Sequence, residues 1–359
     1  MNLRIGLGII NVTVLCTVLF LKPNLAFADS SGLYFPPLNG KWETVSLDKT
    51  GWKAAKLKMA MEFAGGHNSS GVVVLYRGRI LAEQYWKLKS AEEERSLYKY
   101  MRIATTPDGR AIEDVASVQK SVISFLAAIA QDKGKLDLDR TVAGYLGHGW
   151  SKASQEQEAK ITVRHLMAMT SGLNRALEYV HPAGTVWTYN TRAYSMMIPV
   201  LTKATNMNIN QLTQQWLTAP TGMRESRWKT RRWIQNHHDA NALGYTTSAR
   251  DLARFGLLVL AQGRWNGQAV LKNPKYLRET LQSSQNMKPS YGLLWWRVNR
   301  YWFPEAPDHA VAALGRLSRI VLIVPDQQIV FVRIGDQTNT KLRDFLRKFW
   351  ILLSAAMPD

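Results

Sequence analysis

Two hydrophobic rhythms alternate along the chain and mark out its elements. Trp52 to Phe63 repeats apolar residues at helical spacing. Ser70-Gly-Val-Val-Val-Leu-Tyr76 is a β-rich run. The pair Arg77-Gly78 and a second run from Arg79 to Trp86 complete a predicted hairpin. Residues 87–114 are charged and irregular. A long apolar segment then carries Val122, Ile123, Phe125, Leu126 and Ile129 at helical spacing, with Gly134 beyond its end. Thr162 and Gly172 bracket another helix, and Ser248 to Asp251 resembles a capping box before Leu252, Phe255 and Val259. Strand-like runs return at Tyr291 to Val298, Arg319 to Val324 and Ile329 to Ile334, the last two joined by a turn at Pro325 to Gln328. Leu342 to Leu353 closes the chain as an amphipathic helix.

Strands at both ends with helices between them predict an α+β fold. One antiparallel sheet is built from both chain ends and flanked by helices, and a mostly helical lobe is inserted between its halves. A cleft between sheet and lobe is the natural place for a site. No internal repeat or low-complexity segment interrupts this order.

The first 28 residues read differently. A short basic start, an apolar stretch from Ile5 to Leu21, Pro23 and the A-x-A pattern Ala26-Phe27-Ala28 predict a secretory signal peptide cleaved after Ala28. An uncleaved membrane anchor is the alternative, because the apolar run is long for a signal. Either way the expected location is periplasmic or secreted. The single cysteine, Cys16, falls inside this leader, so the mature protein is expected to lack disulfides, a thiol nucleophile and any Cys-based metal site. About 330 residues can be stable through burial alone. The formal net charge of +19 favours anionic neighbours, such as an anionic envelope surface, if it does more than keep the protein soluble. The leader and the lack of a binding motif argue against nucleic acid.

Candidate chemistry centres on Ser117. Four serines precede a lysine by three residues: Ser46, Ser96, Ser117 and Ser226. Only Ser117 opens an apolar helix, which sets the Lys120 amine on the same face as its hydroxyl. A helix start also favours an anion nearby. A serine nucleophile needs a base for its proton and a polarising site for its oxyanion. Downstream, His181-Pro-Ala-Gly184 leads to Tyr189, and a phenol serves as general acid/base if neighbouring cations lower its pKa from about 10. Ala313-Leu314-Gly315-Arg316 is read as leading into a strand, with Gly315 letting a substrate approach the backbone. His165 is expected to be a hydrogen-bonded core histidine. His237-His238-Asp239 could suggest a metal, but adjacent residues seldom face one ion, so neither a metal nor a cofactor is expected. Most of the thirteen tryptophans should be core, with one or two near Tyr189.

Taken in order, these segments resemble the serine β-lactamase-like hydrolases, which include class C β-lactamases, D-alanyl-D-alanine carboxypeptidases, related esterases and 6-aminohexanoate-dimer hydrolases. Ser117-x-x-Lys120 matches the nucleophile motif. Ile161 to Leu173 is similar to the family's ITVRHLL-x-H-TSGL helix, and Pro182 to Tyr189 to its PG-x-x-x-x-Y approach. Gly244 to Gly256 is similar to G-x-x-S-x-A-x-D-L-A-R-F-G, and Ala313-Leu-Gly315 falls where the family has Lys-Thr-Gly or His-x-Gly. The resemblance spans roughly residues 69–350. It divides the chain into a leader (1–28), an N-terminal extension and helix (29–68), the hydrolase domain (69–350) and a C-terminal tail (351–359).

The resemblance implies roles. Ser117 would attack a carbonyl and form an acyl-enzyme, Lys120 would take or hold its proton, and Tyr189 would shuttle a proton to the leaving group and then activate water. Backbone N–H groups of Ser117 and Arg316 would form the oxyanion hole. Asn190, Gly315 and His309 are the implied substrate contacts, and the substrate is a small or peptide-like amide or ester.

Three departures shape this expectation. Tyr189-Asn190-Thr191 replaces Tyr-x-Asn, Ala313 replaces the cation of the third motif, and Arg316-Leu317-Ser318 replaces the glycines usual after it. They weaken the case for β-lactam recognition and look closer to the 6-aminohexanoate-dimer hydrolase and esterase branch. The alternative is a catalytically weak homologue that binds the cell envelope through its basic surface.

Overall fold

The computed structural model describes residues 32–93, 96–231, 234 and 242–358. The leader with Cys16, and the trio His237-His238-Asp239, lie outside the described residues. Six antiparallel strands form the main sheet in the order β2-β1-β12-β11-β10-β9. They are β1 (Ser69–Tyr76), β2 (Arg79–Tyr85), β9 (Trp296–Val298), β10 (Ala310–Gly315), β11 (Arg319–Val324) and β12 (Ile329–Gly335). The register of β1 against β12, from Gly71 opposite Ile334 to Tyr76 opposite Ile329, joins the two chain ends. The expected sheet is therefore present.

Side-chain alternation in β1 feeds two cores. Val73 and Leu75 face the larger one, beside the helices Gln119–Asp132 and Ala249–Leu260. Val72 and Val74 face the smaller one, covered by the helices Ala54–Gly65 and Leu342–Ser354. Burying each such side chain contributes roughly 1.5–3 kcal/mol, which explains why β1 reads as a continuous apolar run. Helix Ala54–Gly65 belongs to this packing, although the sequence sets it in an extension ahead of the domain. The last helix likewise runs to Ser354, past the expected boundary at 350. Helix Ala249–Leu260 lies close on the sheet at Gly256, where a Cβ would press on Val330 and Val321.

A second sheet was not legible in the sequence. It orders β3 (Arg102–Thr105), β4 (Ala111–Asp114), β6 (Leu243–Ser248) and β5 (Arg227–Thr230). The first two lie within the segment read as irregular, because four-residue strands with exposed or charged positions give no usable alternation. A two-residue ribbon, β7 (Arg264–Trp265) with β8 (Gln268–Ala269), follows helix Ala249–Leu260. Strand β9 is shorter than the predicted run from Tyr291, which contributes only a bridge between Tyr291 and Trp296. Among the described residues no helix is long and apolar enough to cross a membrane.

Candidate active site

Strand β4 delivers the nucleophile candidate. It ends at Asp114, and a 3-10 turn over Ala116–Val118 leads into helix Gln119–Asp132. Ala116 has φ 49°, a left-handed conformation unusual for a residue with a Cβ. The Asp114 carboxylate holds that bend by accepting the Ala116 N–H at 2.8 Å. Asp114 is itself clamped by Arg231, through Nε at 2.6 Å and Nη2 at 2.9 Å. Gln119 completes the frame, its Oε1 accepting from Arg231 Nη2 and from the Tyr245 N–H, each at 3.1 Å. Every residue of the helix from Gln119 to Ala130 is buried. The helix is thus a rigid post, and Ser117 sits on the turn at its start.

Lys120 is on the first turn of that helix, 3 % exposed, with Nζ 3.0 Å from Ser117 Oγ. The same amine lies over the rings of Tyr194 at 4.5 Å and Tyr189 at 5.1 Å. Burial, with the nearby Arg231 guanidinium adding to it, brings its pKa down to about 7. Near neutral pH a large fraction of Lys120 is therefore an unprotonated amine, able to accept the Ser117 proton. The other three serines do not behave this way. Ser46 and Ser96 precede short helices, Ser96 capping the Tyr98 N–H, and Ser226 spends its hydroxyl on Thr247 and Asp251.

Tyr189 arrives on an extended segment tied to the helix region before it, with the Gly184 N–H on Thr170 O and the Thr188 N–H on Met169 O. Its ring stacks on Trp296 at 6.0 Å and meets Trp187 and Tyr291 edgewise or at a tilt. Tryptophans beside Tyr189 were expected, and Trp187 and Trp296 fill that place. The phenol's pKa is raised by burial, with a hydrogen bond to Ser117 working the other way. This corrects the expectation of a cation-lowered phenol: Tyr189 keeps its proton near neutral pH.

Ser117, Lys120, Thr191, Arg231 and Arg316 share one cavity of about 210 Å³. A larger cavity of about 540 Å³, lined by Asn210, Arg224 and Arg227 among others, shares no residue with it. We place the chemistry in the smaller cavity, where the paired Ser117 and Lys120 are. Among the described residues, no group of three or more His, Cys, Asp or Glu side chains is arranged to hold a metal.

The Beta-lactamase family model matches residues 55–355. The chain belongs to the Beta-lactamase family. An uncharacterized protein of Alkalihalophilus pseudofirmus is 23 % identical over 299 residues, covering 74 % of this chain and 83 % of that protein. Among solved structures, a protein assigned as a 6-aminohexanoate-dimer hydrolase from Bacillus anthracis superposes with a TM-score of 0.65 at 16 % identity, covering 93 % of this chain and 92 % of that one. A class C β-lactamase gives 0.62 at 16 % identity, covering 85 % and 95 %. A penicillin-binding protein from Bacillus halodurans gives 0.60 at 13 %, covering 82 % and 99 %. The chain thus has the serine hydrolase fold of the Beta-lactamase family.

Three of the expected substrate contacts are placed differently from their family roles. Asn190 is 2 % exposed, and its amide is fully used. Its Nδ2 donates to the carbonyls of Leu173 and Asn174 at 2.8 Å, and its Oδ1 accepts from the Arg192 and Ala193 N–H groups as the cap of helix Thr191–Ser195. It holds the helix, not a ligand. His309 pairs with Asp326 at 2.9 Å, at the end of β10 opposite Gly315. Six residues of strand separate them, roughly 20 Å, so His309 does not reach this cavity. At Gly315 a Cβ would run into the carbonyl oxygen of Val115, so the glycine admits the nucleophile turn itself. Ala313 is wholly buried within β10, which ends at Gly315; the third motif closes one strand and leads through the 316–318 turn into β11.

Arg316 is exposed, the first residue of the turn after β10. Leu317 and Ser318 follow at φ 60° and 56°. A left-handed conformation costs a residue with a side chain roughly 1–2 kcal/mol, which glycines would have avoided. Asp114, Gln119 and Arg231 went unnoticed in the sequence. Gln119 lies inside the Ser-x-x-Lys motif and Asp114 three residues before it, but Arg231 comes from over a hundred residues downstream.

Proposed function

We propose that this protein is an exported serine hydrolase that cleaves an amide or ester through an acyl-enzyme. The observation that carries this reading is the 3.0 Å approach of Lys120 Nζ to Ser117 Oγ, made by an amine whose pKa is about 7. Lys120 takes the Ser117 proton as Oγ attacks the carbonyl carbon. The developing oxyanion is met by the N–H groups of Ser117 and Arg316. When the tetrahedral intermediate collapses, the carbonyl carbon loses its bond to the leaving nitrogen or oxygen. Tyr189, protonated, donates to that leaving group and is refilled from Lys120. Water then attacks the ester, its proton returning by the same groups, and Ser117 is regenerated.

The pocket favours the 6-aminohexanoate-dimer hydrolase and esterase branch over a β-lactamase. Position 313 carries no cation, and the Asn190 amide faces inward. Export rests on the leader at residues 1–28. The Ser117, Lys120 and Tyr189 grouping supports an enzyme over a purely envelope-binding homologue, although the basic surface is also suited to an anionic envelope. The discriminating experiment is a panel of p-nitrophenyl esters, aminohexanoate dimers, D-Ala-D-Ala peptides and nitrocefin, run on the wild type and on Ser117→Ala. Turnover of esters or aminohexanoate amides that disappears in the variant supports the reading. Activity equal in both proteins contradicts it, and Ser117-dependent activity confined to nitrocefin would contradict the choice of branch.

A further inference from the structure

Two arginines lie wholly inside the molecule behind the β10–β11 turn. Arg319 opens β11, Arg333 lies within β12, and both are 0 % exposed. Between them they take the carbonyls of all three turn residues. Arg319 Nη1 donates to Arg316 O at 3.0 Å, and Arg333 Nη1 donates to Leu317 O at 3.0 Å and Ser318 O at 2.8 Å. Arg333 also donates to Ser69 Oγ at 2.9 Å and to the carbonyls of His67, Asn68 and Asp336, anchoring the turn to the sheet. The turn's two left-handed residues are thus held from behind by fixed donors.

The other end of this network reaches the nucleophile. Arg319 Nη2 donates to Glu113 Oε2 at 2.7 Å. Glu113 also accepts from Tyr98 Oη at 2.8 Å and from Ser70 Oγ, so its buried carboxylate has no contact with solvent. Glu113 immediately precedes Asp114, whose carboxylate holds the Ala116 bend before Ser117. A buried ion pair is weak support for stability, since apolar replacements of similar volume are often neutral or better. What this pair supplies is a fixed spacing between two backbone turns. Gly315, against the Val115 carbonyl, brings those turns together with no room for a side chain.

We propose that Glu113 and Arg319, backed by Arg333, are positioning residues that set the Arg316 turn against the Ser117 turn, so that their N–H groups converge on one oxyanion. The network takes over the task of the absent glycines, making a strained turn single-valued. This rests on the acyl-enzyme reading above. None of the three side chains lines the cavity that holds Ser117.

The test uses the double variant Glu113→Leu/Arg319→Met, which leaves no lone charge buried at that pair, together with Arg319→Lys. Arg319→Lys keeps the charge but cannot span Glu113 and the Arg316 carbonyl as a fork. Both are assayed with a p-nitrophenyl ester, with a boronic acid that mimics the tetrahedral adduct, and by hydrogen exchange over residues 310–320. The expected result is a kcat lower by roughly ten- to a hundredfold with KM within about twofold, a parallel loss of boronic acid affinity, and faster exchange in the turn. A merely structural role would lower melting temperature and leave kcat of the folded protein alone. Wild-type kcat in either folded variant overturns the proposal. If the double variant does not fold, Arg319→Lys decides. If the wild type itself turns over neither an ester nor an amide of the panel, the acyl-enzyme reading fails separately, and unchanged exchange over 310–320 in the variants then overturns the positioning claim.

Discussion

Lys120 Nζ stands 3.0 Å from Ser117 Oγ, in a setting where only 3 % of the lysine meets solvent. On the acyl-enzyme reading proposed above, that burial is what would let the lysine serve as a base: an exposed lysine, near 10.5, would hold its proton and could not take another. Here the same desolvation that penalises the ammonium prepares the amine.

The pH dependence of acylation follows directly. The active form is the neutral amine, so kcat/KM for an activated ester should rise with pH through a single limb near 7 and level off above it. A pH–rate profile from 5 to 9 checks this. A flat profile, or a limb near 10, would move the base role away from Lys120.

Stability carries the same signature with the opposite cost. The folded-state pKa of Lys120 lies below its unfolded value of 10.5, so between about 7 and 10 the unfolded chain binds more protons. This group therefore makes the protein more stable as pH rises through that window, and its full penalty is felt below pH 7. Lys120→Met should be inactive yet more stable by up to a few kcal/mol at pH 6, with the advantage fading toward pH 10. Urea unfolding at the two pH values measures it.

Tyr189→Phe should separate two classes of substrate. A p-nitrophenolate leaves without a proton, so acylation by such esters should fall little, whereas amide cleavage should drop by roughly 10²–10⁴-fold. Burst kinetics on an ester, beside steady-state turnover of an aminohexanoate amide, distinguish the two. Equal losses on both would show that the phenol does not act on the leaving group.

Asn190→Ala should act on stability and not on substrate affinity. It removes the cap of helix Thr191–Ser195 and takes the Asn190 amide donor from the carbonyls of Leu173 and Asn174, the latter keeping only the Leu177 N–H at 3.0 Å. A loss of about 1–3 kcal/mol is expected, seen as a lower urea midpoint with KM nearly unchanged.

Much of this fold was readable from the chain because its main elements are long and consistently patterned. The hairpin β1–β2, the post helix after Ser117 and the amphipathic Leu342–Ser354 each bury a continuous face. The grouping of Ser117 and Lys120 was legible because an apolar helix and order along the chain separated one Ser-x-x-Lys spacing from three others, and Tyr189 was picked out by the Pro182 to Tyr189 segment. What sequence left hidden is the support. Asp114 and Arg231 lie 117 positions apart, and Glu113 and Arg319 lie 206 apart, so no local rule pairs them. The available sign was a charge interrupting an apolar run, as Arg333 does between Val332 and Ile334. Asn190 and His309 were misplaced for a related reason. A polar residue near a motif looks like a ligand until its partners are known.

The most direct measurement is the mass of the protein after exposure to a fluorophosphonate, with the modified peptide mapped, for wild type, Ser117→Ala and Lys120→Met. A single adduct on Ser117 in the wild type, forming faster as pH rises through 7, with none in Ser117→Ala and very slow labelling in Lys120→Met, is the predicted result. An adduct on another residue, or equal labelling of all three proteins, would contradict the assignment of Ser117 as a nucleophile served by Lys120.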